Sequence, residues 1–239
     1  GPFSVEEVIP LLIDKIIAAT RVNMTRLREE AERRSQKAPL KKPQMLSTIR
    51  TTQQIIAIGA STGGTIAMEK LFMDWEPSFP PTLAVIHMPE RFTASFAGRL
   101  NDVCPVEVCE AKQGEHLRAG VIYIAPGNFH MLLRTQGTER RIKIASGPKV
   151  CNQRPAVDPL FDSVAQQAGR NCIALLLTGM GRDGAAGLLK IREAGGYTIA
   201  QDEKSSIVWG MPKEAIDLGA AEVVLGLDAM ATHIKKRLA

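Results

Sequence analysis

The chain has 239 residues, 45% of them hydrophobic and 23% charged, with 20 Gly, 14 Pro and 4 Cys. That make-up fits a globular protein of one sizeable domain plus additional material, and no apolar run nears the roughly 18 residues of a membrane span, which excludes an integral membrane protein. The net charge of +5 is local, because residues 1–53 hold 10 Lys/Arg against 6 Asp/Glu while the rest hold 20 against 19. No aromatic residue is interleaved with the basic cluster Arg33-Arg34, Lys37 and Lys41-Lys42, so a basic linker is expected and a nucleic-acid surface is not.

No secretory signal opens the chain, and Gly1-Pro2 reads as a protease scar, so natural residues before position 1 are expected to be missing. Cys104 and Cys109 are five apart, Cys151 and Cys172 stand alone, and no pair has the C-x-x-C spacing of a zinc site. Reduced thiols in a cytoplasmic protein are expected.

Residues 4–34 read as one helix. Ser4 and Glu7 form an S-x-x-E capping box, and Val5, Val8, Ile9, Leu12, Ile16, Ile17 and Ala19 recur near helical spacing. The stripe either braces the main domain or ends a preceding one. Residues 35–53, with Pro39 and Pro43 among charges and no periodicity, read as a linker. The expected organisation is therefore a helix and linker over 1–53 and a main domain over 54–239.

From Gln54 onward, short apolar runs appear: Ile55–Ile58, Leu83–Ile86, Val121–Ile124, Ile173–Leu177, Tyr197–Ala200 and Glu222–Leu225. Strands buried on both faces of a parallel sheet are apolar at nearly every position. Helical patterns follow at 64–73, 93–101, 159–169, 184–194, 211–218 and 227–238, which predicts a doubly wound, mostly parallel α/β sheet. Phe129–Arg134 and Arg140–Ala145, joined across Thr135-Gln136-Gly137-Thr138, predict a β-hairpin insertion.

Ligands meet the carboxyl ends of strands in such a sheet, and three of these ends carry reactive groups. After the first strand, Gly59-Ala-Ser61-Thr-Gly63 has the form of a nucleophile elbow, whose glycines permit a turn tight enough to expose Ser61 Oγ. A phosphate loop at a helix N-terminus is the alternative, although neither dinucleotide nor P-loop spacing is present. The second strand ends in His87, where a right-handed crossover places it beside the first, so His87 is the candidate base. His116 lies in a polar stretch and His233 in a terminal amphipathic helix. His130 either lines the rim of the site or is an ordinary turn residue. After the most apolar strand comes Thr178-Gly-Met-Gly-Arg-Asp183-Gly184. There Asp183 either caps the next helix or accepts Nδ1–H of His87, and the glycine-rich backbone can aim an N–H at an oxyanion. The order Ser…His…Asp differs from the Ser…Asp/Glu…His of α/β-hydrolases, which points to a triad on another scaffold.

Ile58-Gly-Ala-Ser-Thr-Gly-Gly64, Ile86-His-Met-Pro89, Ile124-Ala-Pro-Gly127, Arg154-Pro-Ala-Val-Asp158, Leu177-Thr-Gly-Met-Gly-Arg-Asp-Gly184 and Gly210-Met-Pro212 together resemble the CheB-type chemotaxis protein-glutamate methylesterases over residues 54–239. The resemblance implies hydrolysis of γ-glutamyl methyl esters on methyl-accepting chemotaxis receptors, with release of methanol and deamidation of receptor glutamines. It implies Ser61 as nucleophile, His87 as general base, Asp183 as its partner, and the backbone N–H groups of Thr62 and Met180 as oxyanion donors. No cofactor or metal is implied. The family's N-terminal receiver domain is expected as a missing regulator, with residues 4–20 like the end of its last helix. A non-catalytic module that holds a receptor helix in the same cleft is the competing expectation.

Overall fold

Strand β1 (Ile55–Ala60) is buried at all six positions, and its alternate residues feed two separate cores. The computed structural model describes residues 53–137 and 139–239, with isolated positions between Ile13 and Arg28. Ile56, Ile58 and Ala60 face one side, where they meet Met68 and Phe72 of α1 (Gly64–Phe72), Phe96 and Leu100 of α2 (Phe92–Val103), and Met230 and Ile234 of α6 (Leu227–Leu238). Ile55 and Ala57 face the other side. Their core includes Leu160 and Phe161 of α3 (Val157–Ala168), Leu188 and Ile191 of α4 (Ala185–Glu193), and Met211 and Ala215 of α5 (Met211–Asp217). Each of the larger apolar side chains among them, fully withdrawn from water, contributes roughly 1.5–3 kcal/mol. Helices on both faces make the sheet doubly wound, as its apolar strands predict.

The sheet has seven strands in the order β3-β4-β2-β1-β7-β8-β9. The remaining members are β2 (Thr82–Ile86), β3 (Glu107–Glu110), β4 (Val121–Ile124), β7 (Cys172–Leu176), β8 (Tyr197–Gln201) and β9 (Val223–Leu225), and all six pairings are parallel. Strand β3 is an addition to the sequence reading. Its sequence EVCE is half-buried at an edge, so it lacks the apolar run that marks the interior strands. The chain leaves β1 toward β2 on one side and returns to β7 on the other. That makes β1 the topological switch point, where the carboxyl ends open a crevice.

The predicted hairpin is present as β5 (His130–Gln136) and β6 (Glu139–Ala145). Its turn is tighter than the four residues expected, because Thr135 and Gln136 pair with Arg140 and Glu139, and Gly137 supplies the positive φ of 63°. Met131, Leu133 and Ile142 bury the inner face, and Ser163 Oγ of α3 accepts the Leu133 N–H at 2.9 Å.

In the lead segment Ile13, Ile16 and Ile17 are helical and 49%, 56% and 36% exposed, so these apolar side chains are not covered by the α/β unit. The Ser4–Glu7 capping box and the expected linker, apart from Gln53, lie outside the described residues. Among the described residues, no helix is long and apolar enough to cross a membrane.

Candidate active site

Ser61 follows β1 directly, and the chain there turns at once into α1. Its N–H donates to Thr178 O at 3.0 Å, and its own carbonyl accepts the Gly64 N–H at 2.7 Å. Gly63 caps α1 with φ 82°, a left-handed conformation that a Cβ disfavours. A Cβ there would also lie 2.7 Å from Cβ of Ile207. The elbow geometry expected of Gly59–Gly63 is therefore present, with Ser61 half-buried rather than pointing freely into solvent.

His87 follows β2, and its N–H extends the β1–β2 ladder by donating to Ala60 O at 3.2 Å. This register fixes the imidazole beside Ser61, with His87 Nδ1 3.0 Å from Ser61 Oγ. Asp183, in the loop after β7, approaches from the other side, and its Oδ2 is 2.6 Å from His87 Nε2. The side chains of His87 and Asp183 are each 2% exposed. The structure thus brings together all three residues singled out from sequence, but it reverses the ring nitrogens. Nδ1 is the nitrogen nearer the backbone and faces the adjacent strand end. Nε2 reaches further, to the group supplied from beyond β1. Asp183 therefore partners Nε2, not Nδ1 as expected.

The alternative placing of Asp183 as a cap for the next helix is also corrected. The N-cap of α4 is Gly184, with φ 88° and no side-chain cap. Asp183 instead accepts hydrogen bonds from the first turn of α3: Val157 N–H to Oδ2 at 2.6 Å and Asp158 N–H to Oδ1 at 3.0 Å. A carboxylate at a helix N-terminus satisfies orphan donors and gains from the helix dipole. Sequence reasoning did not assign Val157 and Asp158 this role, although they belong to the quoted Arg154–Asp158 motif.

A second unforeseen support is Thr178. Its hydroxyl lies 3.0 Å from Thr62 O and 3.1 Å from Val208 O, and it accepts the Val208 N–H at 2.9 Å. Its own N–H donates to Gln201 Oε1 at 2.7 Å. Gly179 O in turn accepts the N–H groups of Gly210 and Met211, which ties the 178–181 loop to the Gly210-Met-Pro212 motif. Gly179 packs directly on Ser61. Among the described residues, the N–H groups of Thr62, next to Ser61, and of Met180, next to Gly179, donate to no protein acceptor.

The other histidines sit elsewhere. His130 is buried in the protein: Nε2 donates to Pro148 O at 2.9 Å, leaving Nδ1 to accept the Ala156 N–H at 3.3 Å. It braces the approach to α3 and does not line a rim. His116 is 3.7 Å from Glu139 at the surface, and His233 Nε2 is 2.8 Å from Tyr197 Oη. Cys151 Sγ and one oxygen each of Asp158 and Asp183 lie within 4.8 Å of one another, the one grouping with metal-ligand spacing among the described residues. Both Asp183 oxygens there already accept hydrogen bonds. Desolvation raises the Cys151 thiol, and Asp183 and Asp158 raise it further.

A serine, an imidazole and a buried carboxylate in one hydrogen-bonded line, at the switch point of a parallel sheet, have the geometry of a serine hydrolase. Residues 56–234 match the family described as CheB methylesterase, and the chain belongs to that family. It is 44% identical, over 98% of its length, to a protein-glutamate methylesterase/protein-glutamine glutaminase of Sulfurimonas denitrificans. It is 50% identical, over 77% of its length, to one of Rhodospirillum rubrum. The chain spans only 66% and 51% of those two relatives. The crystal structure of the Thermotoga maritima CheB methylesterase catalytic domain superposes with a TM-score of 0.74 at 39% identity, covering 75% of this chain and 96% of that one.

Proposed function

We propose that the protein hydrolyses glutamyl γ-methyl esters on methyl-accepting chemotaxis receptors and, more slowly, deamidates receptor glutamines. The observation that carries this reading is the continuous line Ser61 Oγ–His87 Nδ1 and His87 Nε2–Asp183 Oδ2 at 3.0 and 2.6 Å. The names of the relatives support the substrate.

With Nε2–H donated to Asp183, the Nδ1 lone pair faces the Ser61 hydroxyl. Nδ1 takes the Ser61 proton as Oγ attacks the γ-carbonyl carbon, and Asp183 stabilises the imidazolium. The N–H groups of Thr62 and Met180 receive the negative charge on the carbonyl oxygen. Collapse of the tetrahedral species breaks the bond to methoxide, which takes the proton from Nδ1 and leaves as methanol. Water, deprotonated by Nδ1, then attacks the γ-glutamyl ester on Ser61 and frees glutamate and the serine. A glutamine side chain follows the same route with ammonia as leaving group, and it reacts more slowly because the amide is the poorer leaving group. Ser61, His87 and Asp183 act as catalytic residues, with Thr62 and Met180 as oxyanion donors, and no cofactor or metal takes part. A receiver domain preceding this chain would regulate access, and the reaction belongs in the cytoplasm.

The test is methanol release from methyl-labelled receptor membranes in excess chelator. Release by the protein, abolished in Ser61→Ala, supports the reading. Receptor binding without turnover would replace it with the helix-holding module, and release that needs added metal would refute the mechanism.

A further inference from the structure

Helices α3 and α4 exchange carboxylates. Asp183, just before α4, accepts the N–H groups of Val157 and Asp158 in the first turn of α3. Asp158, in that same turn, accepts the Gly187 N–H of α4 at 2.7 Å and a further backbone hydrogen bond from Gly184. Each helix thus presents a carboxylate to the amino end of the other. The approach is close enough that a Cβ on Gly187 would lie 2.6 Å from Cβ of Phe161 and 3.0 Å from Asp158 Oδ1.

We propose that Asp158 is a positioning residue for the His87–Asp183 pair, holding α3 against α4 so that the α3 amides fix the Asp183 carboxylate in line with Nε2. The inference rests on the hydrolase reading above. Asp183 has no cap to its own helix, so its orientation depends on where α3 presents Val157 and Asp158. The position of α3 relative to α4 depends in turn on the Asp158 clasp. A misplacement on the order of 1 Å in such a line costs about 100-fold in rate.

Asp158 is also a charge within reach of the pair. Burial, and then the nearby Asp183 and Asp162, push its carboxyl up to about 6, against the hydrogen bonds from Gly187 and Gly184. The other groups facing it are Cys151, which Arg182 contacts, and Lys190 on α4. As pH rises through this range, Asp158 gains a negative charge beside Asp183, and the bond from Asp183 to His87 reports it.

Asn at 158 keeps an acceptor for the Gly187 N–H and loses the charge, whereas Ala loses both. For Asp158→Ala we expect kcat on methylated receptor to fall about 10-fold or more with KM unchanged. Asp158→Asn should retain kcat within about 3-fold. Proton NMR of the substrate-free protein gives a readout independent of esterase activity, through the downfield resonance of the Nε2–H held by Asp183. In the wild type this resonance should carry, beyond the shift from protonation of the imidazole that both proteins share, an inflection near pH 6 that is missing in Asp158→Asn, and in Asp158→Ala it should broaden by exchange with water. If Asp158→Ala does not fold, the Asn variant and its spectrum decide. Identical pH titrations of the resonance in wild type and Asp158→Asn would overturn the proposal. So would an Ala variant with wild-type kcat, or one altered in KM alone. A protein that releases no methanol would sink the functional reading while leaving the spectroscopic test intact.

Discussion

The α-carbon of Gly179 rests against Ser61 so closely that a Cβ added to it would lie 2.8 Å from Cβ of Ser61 and 2.3 Å from Sδ of Met211. The loop after β7 and the elbow after β1 therefore occupy contiguous space, and the proposed oxyanion donor Met180 directly follows a position that has no room for a side chain. Gly179→Ala must displace either Ser61 or the Met211 side chain. We expect the folded protein to lose about 1–3 kcal/mol of stability to overpacking. Ester hydrolysis should fall about 100-fold, because the Met180 N–H moves away from the oxyanion. Thermal unfolding and initial rates on the purified variant check both effects.

Asp183 serves two structures at once, the imidazole and the first turn of α3. Asp183→Asn should slow turnover by about 10³–10⁴-fold, because an amide that donates to Nε2 enforces the tautomer with its proton on Nδ1. It should also weaken the charge-assisted hydrogen bonds to Val157 and Asp158, at a cost of about 1 kcal/mol. Single-turnover kinetics and denaturant melts separate the two losses. A variant with normal stability and normal rate would show that neither bond matters.

Activity should rise with pH along one limb, because Nδ1 accepts the Ser61 proton only when the ring is neutral. The Asp158 carboxyl adds a stability effect of definite sign. It binds its proton more tightly in the folded state, where it titrates at about 6, than in the unfolded chain. That contribution is fully present below the ordinary aspartate range and is lost as pH rises through about 6. Asp158→Asn lacks it, so the unfolding free energy of the variant should gain on the wild type between pH 5 and pH 8. The gain should be of order 1 kcal/mol after allowance for partial exposure. A difference that stays constant across that range would contradict the assigned burial.

The α/β unit begins at Ile55, and the described apolar residues of the lead segment are uncovered by it. Deletion of residues 1–50 should therefore leave a folded protein with receptor-esterase activity within about 3-fold of the full chain. Circular dichroism and the methanol assay read this directly, and loss of folding would assign the lead helix to the catalytic core.

Much of this fold was legible because strands buried on both faces must be apolar throughout, and the runs at Ile55, Leu83, Val121, Ile173 and Tyr197 meet that demand with helical patterns between them. The three residues that the structure brings together were legible because Ser61 and His87 directly follow such strands and Asp183 lies in the glycine-rich loop after another. Strand β3 was hidden, since a four-residue edge strand with two glutamates carries no comparable pattern. The nitrogen facing Asp183 was misread because it depends on the direction from which the β7 loop reaches the ring. The carboxylate exchange between α3 and α4 was invisible for a related reason. Asp158 and Asp183 are 25 positions apart, and only the packing of two helices on one face of the sheet brings them together.

The central claim is that one acyl-enzyme on Ser61 serves both leaving groups. Methanol and ammonia should be measured side by side from one receptor preparation carrying methylated glutamates and unmodified glutamines, with wild type and Ser61→Ala. The account predicts that both products form in the wild type, methanol the faster, and that both fall by at least about 10³-fold in the variant. Ammonia release that persists in Ser61→Ala at the wild-type rate would contradict it.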